Sequence, residues 1–349
     1  MLLHGTLKIK IMKSLIFFAM LFNGTLNAQI KNLVFEGAGI RGIAYSGAIK
    51  VLEEKNLLQN VERVGGTSAG AITALLISLG YSADEISGLI NSTSFKKFND
   101  GNFLFFGGIH RLKKYYGWYR GKRFENWLDK VIQAKTGNSE ISFKELHEKG
   151  YKDLFITGTS IDKQKLFVFS EETFPQMKIK DAVRISMSIP LYFEAIFMND
   201  AGNIIRHPKN KSGLHVMADG GILSNYPIRL FDSTKYIVTT APNKPGINPQ
   251  TLGFKIEREE QIKNDSTSLG LAEFPIKKFN DYIRAFYNIT IENLNRQNFS
   301  EKDWERTVSI SDGNISPRIK KLPAKTIELL IKNGAEATEQ HFSRLSIKN

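Results

Sequence analysis

Short runs of apolar residues alternate along this chain with longer stretches in which apolar residues recur at helical spacing. The first two apolar runs are residues 32–36 and 61–64, and the helical stretches that follow them are residues 43–55 and 71–79. Strands that alternate with helices in this way are typical of α/β proteins with a parallel sheet. The pattern therefore predicts a β-loop-α-β-turn-α arrangement at the start of the folded chain.

The same two patterns continue through the rest of the sequence. Further strands are expected at residues 154–159, 166–169, 216–218, 236–240 and 307–310, and further helices at 127–134, 180–188, 269–298 and 324–342. Residues 243–250 have the composition of a loop. We expect one domain over residues 29–349, with residues 242–305 as a helical insertion or appendage.

The N-terminus has the order of a secretory signal. Lys8, Lys10 and Lys13 precede an apolar run at residues 15–22, and a polar stretch then leads to Ala28. The run is shorter than the ~20 residues that a membrane-spanning helix needs. The sequence thus predicts a signal peptide over residues 1–28, its removal, and an exported protein of the periplasm, envelope or medium.

Composition narrows the possible chemistry. The 349 residues include no cysteine and six histidines, so a thiol nucleophile, a disulfide and a cysteine-ligated metal are excluded. No HExxH motif is present, and we expect neither a metal nor a cofactor. The formal charge of +13 favours polyanionic surfaces such as an anionic membrane. Nucleic acid is not an expected partner, because no helix-turn-helix, zinc-finger or RNP motif is present.

A glycine-rich loop follows the first predicted strand. Its residues are Gly37, Ala38, Gly39, Ile40, Arg41 and Gly42, which match GxGxxG. Backbone N–H groups presented at the start of a helix stabilise negative charge. That charge is a pyrophosphate in a dinucleotide-binding protein and an oxyanion in a hydrolase.

A second motif favours the hydrolase. Gly66-Thr67-Ser68-Ala69-Gly70 is a GxSxG elbow between a strand and a helix, the context in which such a serine acts as a nucleophile. In a dinucleotide-binding protein the second strand should instead end in an acidic residue that binds ribose.

The base that would activate Ser68 is the next question. Asp219 ends a predicted strand and is followed by Gly220 and Gly221, so its carboxylate can reach a neighbouring elbow. The alternative for this Asp-Gly pair is an ordinary turn. His341 is the one histidine late in the chain, and its position in a helical stretch favours a surface or capping residue.

Together these motifs resemble the patatin-like phospholipase family. The resemblance rests on residues 37–42, on Gly66–Gly70 and on two later motifs across residues 32–240. These are Ser186-x-Ser188-x-Pro190, and Asp219-Gly220-Gly221 with Asn225-Tyr226-Pro227. It implies a three-layer α/β/α sandwich with a mainly parallel central sheet, and a metal-independent lipid acyl hydrolase of the phospholipase A type.

The resemblance also assigns roles by position. Ser68 is the expected nucleophile, Asp219 its base, and residues 37–42 the oxyanion hole, with N–H groups around Gly39 and Ile40 as donors. Arg41 is expected either to orient the loop or an anionic head group, or to form a structural salt bridge. Many family members have glycine where this chain has Ala38, so we expect a negative φ there.

Aromatic and basic residues are interleaved over residues 103–124. The set comprises Phe103, Phe105, Phe106, His110, Arg111, Lys113, Lys114, Tyr115, Tyr116, Trp118, Tyr119, Arg120, Lys122 and Arg123. Such a mixture is typical of a membrane interface or a lid, and the alternative is a core-packing segment. A general esterase for soluble esters and a catalytically silent lipid-binding protein remain alternative functions.

Overall fold

A mixed sheet built mostly from parallel strands organises the chain. The computed structural model describes residues 30–101, 104–237, 246–265, 270–279 and 299–348, together with residues 281, 282, 285, 286, 288, 289 and 296. The predicted signal peptide therefore lies outside the described residues, as do Phe103 and the last part of the strand expected at 236–240; Tyr236 itself lies in a turn.

The strands are β1 Asn32–Phe35, β2 Arg63–Gly66, β3 Gly117–Tyr119, β4 Asp153–Ser160, β5 Lys165–Phe169, β6 Leu191–Phe193, β7 Ile196–Met198, β8 Ile204–Ile205, β9 His215–Asp219, β10 Thr251–Glu257 and β11 Thr307–Ser311. Nine of them form one sheet in the order β11-β10-β1-β2-β4-β9-β7-β8, with β5 beside β4, and β3 pairs with β6 separately. From β11 to β4 the strands are parallel; β5, β7, β8 and β9 are joined in antiparallel pairs.

The helices are α1 Tyr45–Glu54, α2 Ala69–Ser78, α3 Ala83–Ser92, α4 Leu104–Tyr115, α5 Lys122–Thr136, α6 Phe143–Glu148, α7 Ile179–Ser186, α8 Gly221–Ser224, α9 Glu259–Asp265, α10 Glu301–Glu305 and α11 Ala324–Lys348, with 3-10 turns at Gly39–Ala44, Leu58–Asn60 and Phe95–Phe98. In the part of the chain that the structure describes, none of these helices combines the length and apolar character needed to cross a bilayer.

Alternate residues of the central strands face two separate cores. Leu33 and Phe35 of β1 pack into the larger core beneath the helices, whereas Val34 between them packs with Tyr226 and Phe231 on the opposite face. Both faces of a parallel sheet must be covered because its strands are apolar on both sides. The expected α/β/α sandwich with a mainly parallel sheet is confirmed.

One expectation about the chain's organisation is wrong in part. Residues 251–257 fall within the stretch expected to be a helical insertion, yet they form β10, which lies between β1 and β11. The register aligns Phe35 with Phe254, and the buried Thr251–Glu257 strand is therefore part of the central sheet. Of the helix expected at 269–298, the described residues between 279 and 296 are helical, whereas residues 270–278 are not.

Candidate active site

Ser68 occupies a sharp turn between β2 and α2. Its backbone has φ of 53° and ψ of −119°, a region that residues with a side chain rarely adopt and that is concentrated at functional sites. The flanking glycines allow this turn. A Cβ atom on Gly70 would lie 2.2 Å from the carbonyl oxygen of Phe35, and one on Gly66 would lie 2.4 Å from that of Gly70. The elbow therefore requires both glycines of the motif.

The sheet brings the ends of β2 and β9 together. Both strands lie on the side of β4 away from β5, since Ile156 pairs with Gly66 and Phe169 while Gly158 pairs with Asp219 and Phe167. β2 runs parallel to β4 and β9 runs antiparallel to it, so the two strands approach each other head to head. Ser68 follows the end of β2 and Asp219 ends β9, and the topology thus places them side by side.

The Asp219 carboxyl group is buried beside the serine. Burial raises its pKa to about 7, and hydrogen bonds from the Gly221 N–H and the Ser68 hydroxyl group act in the opposite direction by stabilising the carboxylate. The Gly221 nitrogen lies 2.7 Å from Asp219 Oδ1. A carboxyl group with a pKa near neutrality is well suited to accept and return a proton.

Gly220 and Gly221, which follow Asp219, support its position in different ways. A Cβ atom on Gly220 would lie 2.2 Å from Thr157 Oγ1, so only glycine fits against β4. Gly221 supplies the N–H group that orients the carboxylate, and a Cβ there would lie 2.9 Å from Asn225 Oδ1. Both residues thus support the position of Asp219.

Two further residues hold the serine and the aspartate, and sequence reasoning assigned them no role. The Ser186 hydroxyl group accepts a hydrogen bond from the backbone N–H of Ser68 at 2.8 Å. The Ser188 carbonyl oxygen accepts one from the Asp219 N–H at 2.9 Å. The Ser-x-Ser-x-Pro motif, which begins at the last residue of α7, therefore fixes the backbones of both residues. Its presence was visible in the sequence, but its function required the structure.

The glycine loop lies next to this pair. A Cβ atom on Gly37 would lie 3.2 Å from Ser68 Cβ, and one on Gly42 would lie 2.9 Å from Ala69 Cβ. The Gly37 N–H donates to the Asn225 carbonyl oxygen and the Ile40 N–H donates to that of Pro317. The Ile40 N–H is therefore already engaged in this arrangement, and the expected role of Ile40 as an oxyanion donor stays a prediction.

Other amides of the loop remain available. Within the described residues, the N–H groups of Ala38 and Gly39 donate no hydrogen bond, and the same holds for Ala69 at the start of α2. Ala38 has φ of −131°, the negative value expected from its side chain. Gly39 has φ of 57°, and a Cβ there would lie 2.2 Å from the Pro317 carbonyl oxygen.

Arg41 forms a structural contact. Its Nη1 lies 2.9 Å from Asp312 Oδ2, and its Nε donates to the Ala38 carbonyl oxygen at 3.1 Å. Asp312 directly follows β11 and is buried. Of the two roles considered for Arg41, the salt bridge is therefore the one observed, and it also orients the loop.

An apolar cavity of about 90 Å³ lies beside the elbow. Its wall includes Gly39 and Ile40 of the loop, Ala69 next to Ser68, and Met187, whose sulfur lies 3.5 Å from Ser68 Oγ. The rest of the wall is almost entirely hydrophobic, with Ile43, Ile49, Ile72, Leu76, Ile86, Leu89, Ile90, Phe95, Phe98, Trp127, Ile189 and Ile319. A cavity of this composition suits a hydrocarbon chain.

Comparison with known proteins decides the family. The family model described as patatin-like phospholipase matches residues 33–232, which is more than half of the chain and includes the loop, the elbow and Asp219. The chain belongs to the patatin-like phospholipase family. Family membership supports lipid hydrolase activity.

Individual relatives agree with this membership. The chain is 35% identical over 213 residues to YqhO of Bacillus subtilis, covering 58% of this chain and 67% of that protein. It is 28% identical over 199 residues to the probable lipid hydrolase 463L of Invertebrate iridescent virus 6, covering 57% and 62%. The chain thus spans about two thirds of each relative.

A solved structure shares the fold. VipD from Legionella pneumophila is 19% identical and aligns with a TM-score of 0.59, covering 90% of this chain and 67% of that one. The patatin-like phospholipase fold of this chain therefore continues beyond the family match, because β10 and β11 complete the sheet after residue 232.

His341 differs from its expected environment. It is buried on α11 rather than at the surface or at a helix cap, and burial lowers its pKa to about 4. Its ring contacts the backbone of Thr307, the first residue of β11, while Ser68 lies at the opposite, carboxyl edge of the sheet. Such a position does not allow His341 to form a triad with Ser68.

The aromatic and basic segment divides between core and surface. Arg111 is buried, and it donates to the carbonyl oxygens of Trp118 and Gly101, so it is unavailable for lipid contact. The cations that are exposed are Lys113, Lys114, Arg120, Lys122 and Arg123. Tyr115 stacks on His207, while Tyr119 packs on Tyr192. Several rings thus pack inward while five cations face solvent.

Across the described residues, no group of three or more histidine, aspartate or glutamate side chains is arranged to hold a metal ion.

Proposed function

We propose that this member of the patatin-like phospholipase family is a phospholipase A-type lipid acyl hydrolase that acts through a Ser68–Asp219 dyad. The observation that carries the proposal is the position of Ser68 between two different neighbours. The buried Asp219 carboxyl group is one neighbour, and an apolar cavity lined by Ala69 and Met187 is the other.

The reaction begins when Ser68 Oγ attacks the carbonyl carbon of an acyl ester and its proton passes to Asp219. The carbonyl oxygen becomes an oxyanion, and the amides of Ala38 and Gly39 donate hydrogen bonds to it. As the tetrahedral intermediate collapses, the ester C–O bond breaks and Asp219 returns the proton to the leaving alcohol. An acyl-serine remains.

Water completes the cycle. Asp219 takes a proton from a water molecule as its oxygen attacks the acyl carbon, and a second oxyanion forms at the same amides. The acyl–Oγ bond then breaks, Ser68 recovers its proton from Asp219, and a fatty acid leaves. Every proton that one step releases is used in the next, so the dyad needs no histidine, metal or cofactor.

The acyl chain of the substrate lies in the apolar cavity in this proposal. A soluble short-chain ester would gain little from such a cavity, whereas a long chain buries apolar surface worth about 0.8 kcal/mol per CH₂ group. This difference favours a lipid acyl hydrolase over a general esterase for soluble esters. The partner surface is then the lipid itself, with peripheral contact to an anionic membrane.

The decisive experiment measures fatty-acid release from defined phospholipid vesicles by the wild type and by Ser68→Ala. Hydrolysis of a soluble chromogenic ester by the same two proteins is measured in parallel. Release from vesicles that Ser68→Ala abolishes supports the proposal. Turnover of the soluble ester alone would favour the general esterase, and absence of both activities would favour a lipid-binding protein.

Export is a further part of the proposal and rests on the order of charged, apolar and polar residues at the N-terminus. Expression of the full chain with an export-competent host should yield a protein that begins at Gln29. N-terminal sequencing of the secreted or periplasmic fraction tests this, and a retained chain that begins at Met1 would contradict it.

A further inference from the structure

Five large apolar side chains are exposed within fourteen residues. They are Ile276, Phe279, Tyr282, Phe286 and Ile289, and each is 54–75% exposed. Other exposed large apolar side chains of the described residues are scattered along the chain, at Tyr116, Ile161, Leu166, Leu191, Leu223, Leu329 and Ile347. Single exposed apolar residues are normal, but a group of this kind marks an interaction site.

The spacing places these side chains on one face. From Phe279 to Ile289 they recur at intervals of three, four and three residues, which is the period of a helix. Ala285, which lies between Tyr282 and Phe286 in sequence, is buried and belongs to the inner face. We call the five residues the exposed stripe. Ile276 precedes the helix, and the helical members from Phe279 to Ile289 extend about 15 Å at 1.5 Å per residue.

Contacts on either side of the stripe hold it at the edge of the sheet that carries Ser68. Before it, Arg258 donates to the carbonyl oxygens of Ala272 and Glu273. After it, Arg296 forms ion pairs with Glu257 and Asp265. Glu257 ends β10, which runs parallel to β1 and β2, so its end lies at the same carboxyl edge as the glycine loop and the elbow.

Positive charge near the exposed stripe indicates which kind of surface binds it. Lys277 and Lys278 are exposed directly before the helix that begins at Phe279, and the chain as a whole carries +13. An apolar helix face bordered by lysines is the combination that lies in the head-group region of an anionic bilayer. A second protein surface would not require the cations.

We propose that the exposed stripe is the surface with which this protein docks on an anionic lipid bilayer, with its apolar side chains inserted below the head groups. The role of this docking rests on the proposed function, because docking at this edge of the sheet brings the glycine loop and the elbow toward their lipid substrate. Its physical basis is independent of catalysis.

The absence of cysteine from the sequence permits a direct test. Single cysteines are introduced by Phe279→Cys and Ile289→Cys in the Ser68→Ala background, and each is labelled with an environment-sensitive fluorophore. Ile347→Cys, on an exposed apolar residue of α11, is the control. Vesicles of phosphatidylcholine with phosphatidylglycerol should shift the emission of the first two labels to the blue and leave that of the control unchanged.

Binding itself is measured by vesicle sedimentation. In the same Ser68→Ala background, Phe279→Ser combined with Ile289→Ser should reduce binding about tenfold, since two apolar side chains no longer insert, whereas Ile347→Ser should bind like Ser68→Ala alone. Binding should also weaken as salt rises and on vesicles of phosphatidylcholine alone.

Three outcomes would overturn the proposal. Labels at 279 and 289 that do not respond to vesicles exclude insertion. Emission that shifts with protein concentration without vesicles, together with a dimer in light scattering, assigns the stripe to a second copy. Equal vesicle binding by the double variant places docking elsewhere. Because all measurements use Ser68→Ala, they do not depend on hydrolysis, and wild-type turnover of a soluble ester tests the proposed function separately.

Discussion

The Lys255 ammonium group lies 2.5 Å from the Glu36 carboxylate, and both side chains are buried. Glu36 is the residue that precedes Gly37, and its other oxygen accepts a hydrogen bond from the Ile256 N–H at 2.9 Å. Asn225 donates to the same Glu36 oxygen as Lys255 and to the Gly37 carbonyl oxygen. The position of the loop is thus fixed by an ion pair between β1 and β10.

Replacing one member of this ion pair should destabilise the protein more than replacing both. Lys255→Met leaves a buried carboxylate without its cation and should lower the free energy of unfolding by about 3–5 kcal/mol. The double variant Glu36→Gln/Lys255→Met should recover most of that loss. Chemical denaturation of the two single variants and the double variant measures this, and strictly additive losses would show that the pair does not act as a unit.

Substitution of either dyad residue should nearly abolish ester hydrolysis. Ser68→Ala and Asp219→Asn should each lower kcat by about 10⁴-fold, and the double variant should lose little more, because the two residues act as a unit. Asp219→Asn should be at least as stable as the wild type at pH 8, since burial disfavours the carboxylate there. Asp84→Asn, on the exposed first turn of α3, is the control. Substantial turnover by Asp219→Asn would identify a different base.

The rate should depend on pH through Asp219. Its pKa is raised to about 7, and only the deprotonated carboxylate can accept the serine proton, so kcat/KM should rise with pH and reach half of its plateau near pH 7. The profile is measured with a soluble ester, so that lipid charge does not change with it. A plateau already reached at pH 5 would contradict the role of Asp219.

His341 should affect stability and not catalysis. His341→Leu should retain most of the activity, because the ring lies at the sheet edge opposite Ser68. The pKa of the buried histidine is about 4, below its usual 6.5, so the unfolded chain binds the proton more readily. Wild-type stability should therefore fall as pH drops from about 6.5 toward 4, and that fall should be smaller in His341→Leu. Thermal melts at several pH values test this. Loss of activity in a folded His341→Leu variant would instead support a catalytic triad that includes His341.

The cavity should set the preference for chain length. Ile72 lines it one helical turn after Ser68, and Ile72→Trp should fill part of the space. Turnover of esters with long acyl chains should then fall by about tenfold or more relative to that of acetyl or butyryl esters. Leu166→Trp, on an exposed residue of β5, is the matched control. An unchanged ratio would place the acyl chain outside this cavity.

The sequence allowed the first elements and the candidate dyad to be predicted because their signals are local. Strand, glycine loop and elbow follow one another within forty residues, and Asp219 ends an apolar run. β10 was missed because Lys255 and Glu257 make its pattern polar. Those charges are buried only because Glu36 and Arg296, each distant in sequence, neutralise them.

The sequence also could not predict which backbone N–H groups of the loop are left without a hydrogen bond. Ile40 and Ala38 differ little in sequence context, yet Pro317 accepts a hydrogen bond from one and not from the other. His341 presents the same difficulty, because its burial depends on how α11 packs against Thr307 of β11. Local patterns predict elements, whereas contacts between distant segments decide which polar groups remain free.

The anchors of the glycine loop have a consequence for the order in which the protein becomes active during synthesis. Arg41 is tied to Asp312 across 271 positions, and Ile40 to Pro317 across a similar separation. Contacts between such distant residues form late, because a long loop must close first. A nascent chain can form the elbow early, but its glycine loop is not fixed until residues 312 and 317 have been made. Chains that end before these residues should therefore lack hydrolase activity, even where the elbow itself has formed.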